Sequence, residues 1–262
     1  MKVAIMTDDN SGMTREEAAG LGIFIMPMPF FINGELTYQS ETFTRKDFYN
    51  KLAEGADVST SQPSPGDVMD MWNDILSKGY DEIVYIPMSS GLSASCESAK
   101  IFSEEYDGKV HVVDNHRISV TMEESVINAI EYAKEGLSAA EIKERLEKEA
   151  YDATIFITVE DLNYLKKGGR ITPAAATLGA LLGIKPVLQI QGKKLDAFKK
   201  CRGMKAGKLM MIEAAKNDIQ NRFGNDNSKM HIAVAHSHNE EEAKMFLEEI
   251  PERPDNLSLI HI

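Results

Sequence analysis

The strongest constraint on the fold is an alternation. Short runs rich in Val and Ile are separated, along nearly the whole chain, by segments with helical periodicity and well-marked starts. The pattern predicts strands over 2–7, 22–27, 82–87, 110–113, 153–159, 186–190 and 231–236. It predicts helices over 14–19, 65–77, 94–104, 121–134, 139–149, 161–167, 173–182, 205–221 and 240–249. Ser138 and Glu141 form a capping-box pair, Thr172-Pro173 is a cap with a first-turn proline, and Asn239 precedes an acidic first turn. The helix from Pro65 places Val68, Met69, Trp72, Ile75 and Leu76 on one face. Strands alternating with helices imply an α/β class, with mostly parallel sheet flanked by helices. A turn at 192–193 suggests one hairpin, between 187–190 and 195–198. The expected domains are 1–150, carrying the Ser/Thr loops described below, and 151–262.

With 262 residues the chain suffices for one large domain or two small ones. A net charge of −12 repels phosphate backbones and acidic membranes, which argues against a nucleic-acid partner. Cys96 and Cys201 have neither metal-site spacing nor a nearby histidine, so no disulfide framework or metal site is expected. The start, MKVAIMTDD, lacks the apolar run and cleavage site of a signal peptide. The sequence holds no stretch of about 18 apolar residues, so no integral membrane span is expected and the location is read as cytoplasmic.

Four stretches carry chemistry. In STSQPSPGDV, residues 59–68, Ser64 reads as a helix cap, Pro65 as the first helical position and Asp67 as the reciprocal partner. Thr60, Ser61 and Gln62 remain as neutral hydrogen-bonding groups in a stiff loop, suited to an anionic head group. In MTDDNSGM, Asp8 and Asp9 end the first strand, where open α/β sheets place ligands. Capping and loop order is the preferred account of this pair, against metal or acid–base work. In YIPMSSGLSASCESA, Ser89, Ser90, Gly91 and Ser93 lie between a strand and a helix start, which is either a serine-rich cap or an anion site. This stretch is neither a Walker A loop nor a G-x-S-x-G elbow. In LNYLKKGGRITPAAATLGALLGIKPVLQI, Lys166, Lys167 and Arg170 precede a helix of small apolar residues, which either packs closely in a core or lines an apolar tunnel.

Further on, KKCRGMKAG adds Lys199, Lys200, Arg202, Lys205 and Lys208, a solvated basic face or a docking patch. His236 and His238 lack the further ligands of a metal site, and no Ser–His–Asp order can be assigned.

Taken together, VAIMTDDNSGM, TSQPSPGD, SSGLSAS, VVDN, YLKKGGRI with its small-residue helix, GIKPVL and KKCRGMKAG resemble the DegV family of bacterial fatty-acid-binding proteins, which includes the lipid-carrying subunits of fatty acid kinase. The resemblance runs in order from residue 2 to about residue 250. It implies a two-domain DegV-like α/β fold with a long-chain fatty acid, such as palmitate, buried between the domains. It implies a carboxylate held by Thr60 and Ser93, with Ser61, Gln62, Ser90, Gly91, Arg170 and Arg202 as further ligand or partner contacts. No cofactor is implied, and catalysis would belong to a separate partner, the ATP-binding subunit of fatty acid kinase. The resemblance departs at Ala94-Ser95-Cys96, where the family more often has Gly-Thr-Tyr. It also departs at the end, where NLSLIHI stands in place of a longer tail with a His-x-Gly-Pro-Gly segment. The second domain is therefore expected to be truncated, and His261 receives no role. The rival readings are an acyl- or phosphoryl-transfer enzyme with Ser93 as nucleophile, and a small-molecule sensor module.

Overall fold

The computed structural model describes residues 1–39, 42–159, 161–178, 184–192, 194–224, 230–250 and 257–261. The chain divides into two compact units, Met1–Ala150 and Tyr151–Ile262. Among the described residues no helix is long and apolar enough to cross a membrane.

The first unit runs β1 (Val3–Asp8), a 3-10 turn (Asp9–Ser11), α1 (Arg15–Leu21), β2 (Phe24–Met26), β3 (Phe30–Ile32), β4 (Glu35–Thr37), α2 (Arg45–Ala53) and β5 (Val58–Thr60). It continues with α3 (Pro65–Ser77), β6 (Glu82–Ile86), α4 (Ser95–Ser103), a 3-10 turn (Glu104–Tyr106), β7 (Val110–Val112), α5 (Ser119–Lys134) and α6 (Ala139–Lys148). Its main sheet is parallel, in the order β2-β1-β6-β7. Helices cover both faces, and the strand period of two sorts the side chains. Ile5, Val84 and Ile86 pack with Met122, Val126, Ile142 and Leu146 on one side. Ala4, Met6, Ile83 and Tyr85 pack with Val68, Trp72, Ile75, Cys96 and Ala99 on the other. Trp72 is fully buried and meets Tyr106 edge-on, with ring centroids 5.2 Å apart.

The helix starts follow from their caps. The Thr14 and Ser138 hydroxyls each accept the backbone N–H three residues on, and the Glu at that position reaches back. Ser64 accepts the Asp67 N–H at 3.1 Å, with Pro65 in the first turn.

A second, three-stranded antiparallel sheet in this unit, ordered β4-β3-β5, departs from the sequence reading. It turns at Asn33 (φ 52°) and Gly34 (φ 85°), between the paired residues Ile32 and Glu35. An Asn-Gly pair suits a two-residue hairpin turn whose central residues both need positive φ. β3, β4, α2 and β5 lay outside the predicted elements. Thr60, read as a loop residue, is the last residue of β5.

The second unit contains β8 (Ile155–Thr158), α7 (Asn163–Gly168), α8 (Pro173–Leu178), β9 (Ile184–Ile190), β10 (Leu195–Arg202), α9 (Gly203–Asn221), β11 (Ile232–His236), α10 (Glu240–Glu249) and β12 (Leu257–His261). The α/β class holds here, but the expectation of mostly parallel sheet needs correction. The β10-β9-β8 sheet is antiparallel throughout. The β9–β10 pair, with only four residues between its strands, is the hairpin expected between 187–190 and 195–198, while the antiparallel pairing of β8 with β9 was not foreseen. β11 and β12 do pair in parallel, with His236 opposite His261. Residues 257–261 of the NLSLIHI segment therefore supply a strand. β10 extends through Arg202, so Lys199, Lys200 and Cys201 are strand residues. Of the predicted small-residue helix, 173–178 is helical, while residues 179–183 lie outside the described residues. Lys193 of the predicted turn lies outside them as well.

Candidate functional site

The carboxyl ends of β1 and β6 lead into the Asp8–Asp9 and Ser89–Ser93 segments of the first unit. Asp8 ends β1 and is fully buried. One of its carboxylate oxygens accepts the Asn10 N–H and the Asn10 side-chain amide, both at 2.8 Å, and the other accepts the Met88 N–H at 2.9 Å. Burial pushes its pKa up to about 6, against the opposing effect of these donors. Asp9 accepts the Met28 N–H at 2.8 Å and lies 3.6 Å from the Arg15 guanidinium. Burial raises its pKa too. The pair thus caps and pins loops, in line with the preferred sequence reading.

The Ser-Ser-Gly-Leu-Ser segment follows β6 and is ordered mainly by Ser89, which is buried. The Ser89 N–H donates to the Arg117 carbonyl at 2.9 Å. Its carbonyl accepts the Leu92 and Ser93 N–H groups at 2.9 and 3.2 Å, and its hydroxyl accepts the Gly91 N–H at 3.2 Å. The Ser90 N–H donates to Asp114 at 3.2 Å. The Ser93 hydroxyl accepts the Ser95 N–H at 3.1 Å. That bond occupies an acceptor lone pair and leaves the hydroxyl proton to donate, the polarity a carboxylate ligand requires. Among the described residues Ser93 has no histidine partner, which gives the nucleophile reading no general base.

Beneath this segment, Lys100 bridges Glu97 at 2.9 Å and Asp114 at 3.3 Å. Cys96, Glu97 and Asp114 bring potential metal-ligating atoms within 4.8 Å of one another. The Lys100 ammonium already neutralises both carboxylates, however, and burial, followed by the Asp114 charge, pushes the Cys96 thiol up to about 12. A protonated thiol is a poor nucleophile.

The Thr-Ser-Gln-Pro segment leaves β5. Thr60 pairs with Phe30 of β3, and the Ser61 N–H donates to the Pro29 carbonyl at 3.1 Å. Thr60 and Ser61 are exposed, whereas Pro63 is buried. Gln62 accepts the Ser98 hydroxyl at 3.3 Å, joining this segment to α4, the helix that Ser-Ser-Gly-Leu-Ser introduces. The segment bearing Thr60 is thus tied to the helix that follows Ser93, within one unit.

Arg170 and Arg202 belong to the second unit. The Arg170 guanidinium bonds the Gly168 carbonyl across the left-handed Gly169 that ends α7. The Thr172 hydroxyl donates to Asp196 at 2.6 Å and accepts the Ala175 N–H at 3.3 Å, starting α8. Arg202 is exposed where β10 gives way to α9, beside exposed Lys199, Lys200 and Lys205, while Lys208 pairs with Glu242 at 2.6 Å.

Comparison with known proteins decides the lineage. The family model described as "Uncharacterised protein, DegV family" matches residues 2–262. The chain belongs to the DegV family. A DegV domain-containing protein of Deinococcus radiodurans is 32% identical over 225 residues, covering 86% of this chain and 80% of that one. Two solved DegV structures share the two-domain fold. One, from Thermus thermophilus and described by its fatty acid binding, matches with a TM-score of 0.88 at 26% identity, over 100% of this chain and 92% of that chain. The other, a fatty acid binding DegV family protein from Streptococcus agalactiae, has a TM-score of 0.88 at 25% identity, with coverage of 100% and 92%.

Several residues that order these segments of the DegV chain carried no assigned role in the sequence reading. Asp114 holds the Ser90 N–H, Arg117 holds the Ser89 N–H through its carbonyl, and the Met28 and Pro29 backbone ties down the strand bearing Thr60. The one available signal was the VVDN stretch, which stood among the family motifs without a function. Main-chain donors and acceptors leave no residue-type signature at all.

Proposed function

We propose that the chain binds a long-chain fatty acid non-covalently, with its carboxylate held by the hydroxyls of Thr60 and Ser93. One observation carries the reading: the Gln62–Ser98 hydrogen bond links the segment bearing Thr60 to the helix that follows Ser93. The fatty acid binding of the Thermus and Streptococcus relatives supports the choice of ligand. A charge-assisted hydrogen bond is worth about 1.5–3 kcal/mol, and burying a dozen methylenes at ~0.8 kcal/mol each roughly 10 kcal/mol before association costs. On this reading the acyl tail dominates affinity while the hydroxyls fix the orientation of the head group.

Neutral donors leave a carboxylate oxygen nucleophilic. The proposal therefore extends to presentation of the bound acid to the ATP-binding subunit of a fatty acid kinase, with Arg170 and Arg202 as docking contacts. Mass spectrometry of an organic extract from the purified chain tests the binding step. The expected result is a stoichiometric C14–C18 fatty acid that is lost from a folded Thr60→Ala/Ser93→Ala double variant. Equal lipid content in the two proteins would overturn the assignment of the head-group residues. A folded wild-type chain that neither carries nor takes up fatty acid would overturn the ligand.

A further inference from the structure

Asp8 and Asp9 are adjacent, yet their carboxylates serve different parts of the chain. Asp8 accepts the Met88 N–H at 2.9 Å, one residue ahead of the Ser89 turn whose carbonyl accepts the Ser93 N–H. Asp9 accepts the Met28 N–H at 2.8 Å. The next residue, Pro29, accepts the Ser61 N–H at 3.1 Å, and Phe30 pairs with Thr60. From one strand end, then, two short chains of hydrogen bonds lead to the two hydroxyl residues. Asp8 is buried within the parallel sheet, whereas among the described residues the β4-β3-β5 sheet forms no ladder with that sheet.

We infer that Asp8 and Asp9 are positioning residues, which hold the Ser93 turn and the Thr60 strand at a fixed separation so that both hydroxyls reach one carboxylate. The inference rests on the fatty-acid reading above. Asp9 is its more selective part, because the segment it holds depends on fewer core contacts. Freed from Asp9, the Met28–Pro29 connection shifts and Thr60 moves with it, while Ser93 stays in place. The head-group contact weakens and the binding of the tail does not.

The test uses the delipidated full chain titrated with palmitic acid and, separately, with hexadecanol, which keeps the tail and lacks the carboxylate. Asp9→Ala is expected to weaken palmitic acid about tenfold, the loss of one modest hydrogen bond, and to leave hexadecanol unchanged. Asp9→Asn keeps an oxygen for the Met28 N–H and is expected to restore palmitic acid affinity to within about threefold of wild type. A purely structural role would weaken both ligands equally, and that result overturns the inference. So does an Asp9→Ala chain that binds palmitic acid like wild type. Should Asp9→Ala not fold, Asp9→Asn decides: the inference fails if it weakens both ligands together. A wild-type chain that binds no palmitic acid overturns the fatty-acid reading itself, separately from these outcomes.

Discussion

The two sheets of the first unit differ in how they are held. In the parallel β2-β1-β6-β7 sheet, most side chains are buried between helices on both faces. In the antiparallel β4-β3-β5 sheet, none of the nine strand residues is fully buried. Ser93 springs from the first sheet and Thr60 from the second. The proposed head-group site would combine one hydroxyl on a stiff platform with another on a platform of low packing density, and low packing density is where local opening is cheapest. The bonds from Asp9 to Met28 and from Ser61 to Pro29 offset that weakness with polar contacts.

The sharpest way to break the contrast is to cut the core of the stiff sheet. Trp72→Ala is expected to cost about 3–5 kcal/mol, the range for truncating a fully buried aromatic. Thermal or urea unfolding measures it, and a loss below about 1 kcal/mol would mean that the Trp72 side of the sheet is not the stable one.

The next effect concerns pH. Burial lifts Asp8 from 3.8 to about 6, so between these values the folded chain holds a proton that the unfolded chain has released. The resulting stabilisation is full below the lower value and is lost as pH rises through the upper one, on the order of 3 kcal/mol. Asp8→Asn should remove this fall from the stability–pH curve. Parallel curves for variant and wild type between pH 4 and pH 6 would refute the shift.

In the weaker sheet, Phe30 stacks edge-on against Phe48 at 5.5 Å and tilted against Phe43 at 5.9 Å. Phe30→Ala should cost only about 1–2 kcal/mol, because the ring is half-buried. If it destabilises the chain as much as Trp72→Ala in the same unfolding assay, the two sheets form one cooperative block and the contrast fails. Smallest of all, Ser64→Ala removes the cap of α3 and should cost about 1 kcal/mol. A denaturant midpoint indistinguishable from wild type would show that Pro65 and the buried face of α3 suffice to start the helix.

Much of this was legible in the residues. Ser64-Pro65-Gly66-Asp67 and Ser138 with Glu141 start helices because a short side chain must satisfy end donors that only a few residue types can reach. Val and Ile runs at 82–86 and 110–112 became strands because a sheet covered on both faces needs continuous apolar strands. The elements left unread were α2 and the short strands β3, β4, β5 and β12. β3, β4 and β5 have three residues each, too few for a period to show, although Asn33-Gly34 marked the hairpin. At the site, Thr60 and Ser93 stood out through motif resemblance, while the roles of Asp114, Arg117 and Pro29 did not.

The sequence by itself determined the α/β class, the starts of helices such as α3 and α6, and the family, because caps, hydrophobic periods and motifs are local and depend on residue type. Only the tertiary structure decided that β8 joins the β9–β10 hairpin in antiparallel pairing, that Gln62 reaches Ser98, and that Asp8 and Asp9 hold segments about eighty and twenty residues away. Those outcomes turn on which backbone donor meets which distant acceptor. Nearly every residue carries the same peptide group, so the pairing is settled by packing and not by residue identity.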